Sequence, residues 1–96
     1  MQLERTKRFE KAYRKLSHQN QGRVDDAIRR FMSNPLYPSL HTEKVSGAHS
    51  KWSFRASDSL RCTFEFEGDL QELRVAEIAS LSNVDNHDTV YRQRRT

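Results

Sequence analysis

Two stretches of strict alternation, one after the other, decide most of what this chain can become. In Ser50–Ala56, Trp52 and Phe54 point one way while Ser53 and Arg55 point the other. In the next stretch Leu60, Cys62, Phe64 and Phe66 alternate with Arg61, Thr63, Glu65 and Glu67. A period of two is the pitch of a β-strand, so each stretch is a predicted strand with one apolar face. Asp58-Ser59 between them carries turn chemistry. An apolar sheet face cannot be left in water, so a second layer must cover it.

The N-terminal third supplies that layer. Thr6 suits an N-cap, and Phe9, Tyr13 and Leu16 follow at i, i+4 and i+7 on one side of a predicted helix. Lys7, Lys11, Arg14 and Lys15 fall on its other sides. Ser17 to Gln21 reads as a polar junction that reverses the chain. A second helix then runs to about Ser33 with Val24, Ala27, Ile28 and Phe31 as its buried stripe. Asn34-Pro35 ends it, because proline disfavours helical geometry in the residue before it. Pro35 to Leu40 is expected to be irregular, with Pro38 blocking strand pairing.

Gln2–Arg5 is open to a short starting strand. At the far end, Gly68-Asp69 signals a turn, and Leu70–Ile78 is predicted as a third strand with Leu73 and Val75 on one face. The expected class is α+β, an N-terminal helical hairpin packed on one face of a small twisted antiparallel sheet. Residues 1–96 form a single domain of this kind. The apolar faces must meet the helices, which places Arg55 and Arg61 on the open face.

Composition narrows the functional classes. No apolar run approaches the roughly 18 residues of a membrane span, and no charged-then-apolar N-terminus suggests a secretory signal. The single Cys62 forms no internal disulfide and fits a reducing cytoplasm. No His/Cys spacing resembles a metal site, no glycine-rich phosphate loop exists, and no cofactor is expected. The net charge is +4, unevenly spread: residues 1–30 carry nine basic and four acidic groups, residues 31–96 eight and nine. Arg92, Arg94 and Arg95 form a second basic cluster. Such clusters attract phosphate backbones through counterion release, and they equally serve as the solvated face of a helix.

Five segments in order then carry a resemblance. Phe9-x-x-x-Tyr13-x-x-Leu16, Asn34-Pro35-x-x-Pro38-Ser39-Leu40, Trp52-Ser53-Phe54-Arg55, Leu60-Arg61-x-x-Phe64 and His87-Asp88-x-Val90-Tyr91-Arg92 follow one another as in the RelE/ParE toxins. The chain resembles that superfamily over nearly its whole length. The resemblance implies a cytoplasmic toxin of a type II toxin–antitoxin module, with a cognate antitoxin as partner and possible higher-order toxin–antitoxin complexes. RelE-type members are endoribonucleases that cleave messenger RNA on the ribosome without metal. ParE-type members share the fold and inhibit DNA gyrase, and a catalytically inactive RNA-binding relative is a further alternative.

Metal-free RNA cleavage needs a base for the ribose 2′-OH, an acid for the 5′-oxygen, and cations for the phosphorane. Arg55 and Arg61 suit the last task, since guanidinium grips phosphate bidentately. By resemblance, Arg61 contacts the scissile phosphate. His87 is the proton-transfer candidate, with an unperturbed pKa near neutrality. Tyr91 holds the family's terminal aromatic position, where it stacks on a base or assists proton transfer. Lys44, Lys51, Arg92 and Arg94 are candidate RNA contacts. Each has a plainer reading: Arg55 pairs with Glu65 or Glu67, His87 is a surface histidine, and the lysines are solvated. His49 reads mainly as a loop residue. One departure from the family lies in Ala79–Asn86, read here as a linker, which holds no Lys or Arg and one acid.

Overall fold

The computed structural model describes residues 1–45 and 50–86. Along the chain run β1 (Gln2–Arg5), α1 (Lys7–Arg14), α2 (His18–Ser33), a 3-10 turn (Pro38–Leu40), β2 (Glu43–Lys44), β3 (Lys51–Arg55), β4 (Leu60–Glu65), α3 (Leu70–Arg74) and β5 (Ile78–Asn86). Both expected helices form. Thr6 caps α1, its Oγ1 accepting the Phe9 N–H at 3.2 Å and donating to the Leu81 carbonyl at 2.8 Å, which moors the helix start to β5. Ser17 caps α2 by accepting the Asn20 N–H at 3.2 Å, so the helix begins at His18 inside the expected polar junction. It ends at Ser33 as the Asn34-Pro35 pair requires.

The strands lie in the order β1-β5-β4-β3-β2. β2, β3, β4 and β5 pair antiparallel, but β1 runs parallel to β5, Gln2 opposite Ile78 and Arg5 opposite Leu81. The sheet is therefore mixed rather than antiparallel. The pairing that makes it so joins the two ends of the described chain, a contact no local pattern encodes.

A second correction concerns residues 70–78, where the sequence suggested a third strand. Leu70–Arg74 is a short helix, and the strand is Ile78–Asn86. Asp69 and Glu72 form a reciprocal capping box, the Asp69 side chain on the Glu72 N–H at 2.9 Å and the Glu72 side chain on the Asp69 N–H at 3.2 Å. Those bonds satisfy backbone donors that a strand would leave to a neighbour. The segment read as a linker is thus an inner strand, flanked by β1 and β4.

Trp52, Phe54, Cys62, Phe64, Leu81 and Val84 face the helices and are buried. The α2 stripe of Val24, Ala27, Ile28 and Phe31 lands on them as expected. Phe31 is the centre: its ring stacks on Phe54 at 4.5 Å and meets Phe64 edge-on at 4.8 Å. Tyr13 joins α1 to α2, its hydroxyl donating to Asp25 Oδ1 at 2.9 Å. Among the described residues no helix is long and apolar enough to cross a membrane.

Candidate functional site

The opposite face of the sheet carries the candidate chemistry. Arg55 on β3 lies directly across from Arg61 on β4, and Arg61 lies across from Asp85 on β5. The neighbouring Ala56 N–H bonds the Leu60 carbonyl at 2.9 Å, which makes Arg55 and Arg61 a non-hydrogen-bonded pair. In such pairs the Cα atoms come within about 4.5 Å and side chains are closest. Like charges placed so are destabilising, and local acids offset the cost. Arg55 forms an ion pair with Asp58, and its Nε–H donates to the Ser57 carbonyl at 3.4 Å. The Glu65 or Glu67 partner suggested from sequence is not the one this ion pair uses.

Arg61 is held from several sides. Its Nη1 donates to the His41 carbonyl at 3.5 Å. His41 has φ 46° and ψ 47° where the 3-10 turn ends, a left-handed conformation that is uncommon outside glycine. Partial burial lowers the Arg61 pKa; Glu43 pushes it back up, and Arg55 lowers it further. The guanidinium stays charged through these opposing effects.

Glu43 is the residue that sequence reasoning missed. It lies on β2 opposite Ser53, on the same face as the arginines, and is exposed. Only its sheet pairing brings it near Arg61, and a two-residue strand has no periodicity to detect. Between Glu43 and Asn83, Ser53 and Thr63 form a buried polar row. Ser82 Oγ donates to Thr63 Oγ1 at 3.2 Å, and Thr63 Oγ1 donates to the Asn83 carbonyl at 3.3 Å. This row is a buried, hydrogen-bonded floor beside the arginines.

The remaining candidates divide. Lys51 shares the arginine face, two positions along β3 from the Ser53 row and opposite Glu65. Lys44 pairs with Trp52 instead, and its ammonium sits 6.0 Å from the Trp52 ring, on the helix-covered face. Lys44 is therefore not part of the arginine cluster. His49, His87, Tyr91, Arg92 and Arg94 lie outside the described residues. Asp85, the one acid of the expected linker, belongs to the arginine row itself. Among the described residues no three His, Cys, Asp or Glu side chains gather as a metal site.

A face with two adjacent guanidinium groups, a carboxylate within electrostatic reach and a buried hydroxyl floor can bind an oxyanion and exchange a proton beside it. Comparison with protein-family models and with curated proteins gives no match. Solved structures do match. The chain is similar to the YoeB/ParE toxin from Agrobacterium tumefaciens, 18% identical at TM-score 0.67, with 91% of this chain and 99% of that one covered. It is similar to a structure of the RelB-RelE antitoxin-toxin complex from Methanococcus jannaschii, 20% identical at TM-score 0.66, covering 94% and 96%. A copper-bound mutant toxin from Helicobacter pylori aligns at 14% identity and TM-score 0.58, covering 93% and 97%. Across more than nine-tenths of its length, this chain has the fold of the RelE/ParE toxins.

Proposed function

We propose that the chain is the toxin of a type II toxin–antitoxin module and an endoribonuclease that cleaves messenger RNA on the ribosome. The observation that carries the reading is the Arg55–Arg61 pair on the face away from the helices, with Glu43 close enough for Arg61 to feel its charge. In the reaction the 2′-oxygen attacks phosphorus and the bond from phosphorus to the 5′-oxygen breaks. A base takes the 2′ proton and an acid returns one to the 5′-oxygen. Glu43 is assigned the base and His87 the acid, an assignment that needs no metal ion.

Arg61 holds the non-bridging phosphate oxygens and Arg55 balances charge on the phosphorane. Tyr91 stacks on the neighbouring base, while Lys51, Arg92 and Arg94 contact the RNA backbone; Lys44, on the other face, takes no part. The partners of this reading are the ribosome with its message and a cognate antitoxin, the kind of partner that the M. jannaschii RelE has in its complex. The site of action is the cytoplasm.

Primer extension on translated messages after induction tests it. Wild type gives discrete cleavage ends that Arg61→Ala and Glu43→Gln abolish; unbroken messages after wild-type induction overturn the assignment.

One observation favours a second reading. Asp58, Asp85 and Glu43 surround the two arginines and leave the patch without net positive charge. A protein target such as DNA gyrase suits a balanced surface better than RNA does. Growth arrest that survives Arg61→Ala and comes with DNA-damage signalling identifies that reading.

A further inference from the structure

Among the described residues, His41 is the one non-glycine with a positive φ, 46° with ψ 47°. A side chain in that left-handed region costs stability; histidine tolerates it better than most residues, and β-branched residues tolerate it worst. His41 is exposed, so packing of its ring does not hold it there. The surrounding loop does. Asn34 Oδ1 accepts the Leu36 N–H at 3.0 Å, and the Leu40 N–H donates to the Tyr37 carbonyl at 3.0 Å. Leu40 is anchored in the core, and the Thr42 hydroxyl donates back to the Pro35 carbonyl at 2.6 Å. Glu43 is already in register with Ser53 on β3, so His41 and Thr42 alone turn the chain from the core into the sheet.

We propose that His41 is a positioning residue whose left-handed backbone sets Arg61 and Glu43 in place relative to each other. The turn aims the His41 carbonyl at Arg61 Nη1, 3.5 Å away. Two residues later it delivers Glu43 to the arginine face, where the carboxylate charge reaches Arg61. One backbone conformation thus holds the guanidinium from the loop side and places the carboxylate near it. An extended or right-handed conformation at residue 41 rotates the peptide that carries this carbonyl and redirects the chain entering β2. Neither contact then keeps its geometry. Strain of this kind persists where surrounding bonds over-determine it, as the ties at Asn34, Leu40 and Thr42 do. The working part is the peptide, not the imidazole. The chemical roles of Arg61 and Glu43 rest on the nuclease reading; their mutual placement does not.

Three variants of the full chain test it. His41→Asn keeps access to the left-handed region, His41→Val does not, and Thr42→Val removes the tie to Pro35 with residue 41 untouched. The Nε–Hε NMR signal of Arg61, assigned by its loss in Arg61→Lys, reports how fast the guanidinium rotates. Rotation is expected to speed up about threefold or more in both valine variants and to stay as in wild type in His41→Asn. The Arg55 signal is expected to stay constant throughout. On programmed ribosomes, His41→Val is expected to lose about tenfold or more in kcat while KM moves less than about threefold, and His41→Asn to match wild type. An Arg61 signal unmoved by both valine variants overturns the proposal, as does equal speeding of Arg55 and Arg61. Equal losses in His41→Asn and His41→Val overturn it too, since they assign the work to the imidazole. Where circular dichroism shows His41→Val unfolded, Thr42→Val carries the same test. A wild type that leaves messages intact while Arg61 rotation follows this order sinks the nuclease reading and leaves the positioning role standing.

Discussion

Arg55 and Arg61 face each other across β3 and β4 as a non-hydrogen-bonded pair, two like charges at the closest approach an antiparallel sheet offers. A structural role alone gives no reason for that arrangement, since like charges directly opposite cost stability. The pair sits instead beside a buried polar floor, with Asp58, Asp85 and Glu43 balancing it. Arg61→Ala is therefore expected to leave the thermal midpoint within a few degrees of wild type, a shift of order 1 kcal/mol or less, checked by calorimetry.

Phe31 is the residue on which the two layers meet. Phe31→Ala removes a fully buried ring from between Phe54 and Phe64, a change that costs about 3–5 kcal/mol. For a domain of this size that is a large part of the total stability. Urea unfolding followed by Trp52 fluorescence is expected to show a midpoint moved sharply down, or no folded baseline.

Cys62 makes stability depend on pH on the alkaline side. Burial pushes its thiol from 9.0 up to about 12. A proton held more tightly in the folded state stabilises fully below the unfolded pKa and is lost as pH rises from there towards 12. Unfolding free energy is expected to fall by about 1 kcal/mol between about pH 8 and about pH 10, and Cys62→Ala removes most of that slope. Urea midpoints across that range measure it. The same burial keeps the thiol unreactive to a disulfide reagent until the chain unfolds.

Gly68 turns the chain into α3 with φ +145°, and a Cβ there would meet the Phe66 ring at 2.9 Å. Gly68→Ala is expected to cost about 1–3 kcal/mol, read from the shift of the thermal midpoint. Gly22 has open space around it, so Gly22→Ala in mid-α2 is expected to raise that midpoint by the usual helix gain of about 1 kcal/mol.

Where side-chain period and structure share a cause, the sequence was legible. Val24, Ala27, Ile28 and Phe31 on α2, and Trp52, Phe54, Cys62 and Phe64 on the sheet, are buried because periodicity dictates burial. The Leu70–Val75 stretch misled because Leu73 and Val75 mimic alternation, although Asp69 and Glu72 at capping-box spacing were there to be read. β5 was hidden by its own irregularity. Thr63 pairs with Asn83 and Phe64 with Leu81, so Ser82 is an extra residue and the buried Leu81 and Val84 fall three apart rather than two. The parallel seat of β1 and the approach of Glu43 to Arg61 depend on long-range pairing, which no window of sequence contains. Arg55 and Arg61 were legible because an amphipathic strand leaves polar residues only one face.

Single-turnover cleavage of messenger RNA on programmed ribosomes by purified wild type, Arg61→Lys and Arg61→Ala tests the nuclease role of the arginine pair. Wild type is expected to cleave, Arg61→Ala to lose about a hundredfold or more, and Arg61→Lys, which keeps the charge without the bidentate fork, to be intermediate. Wild-type rates in Arg61→Ala, or intact messages with the folded wild-type protein, contradict it.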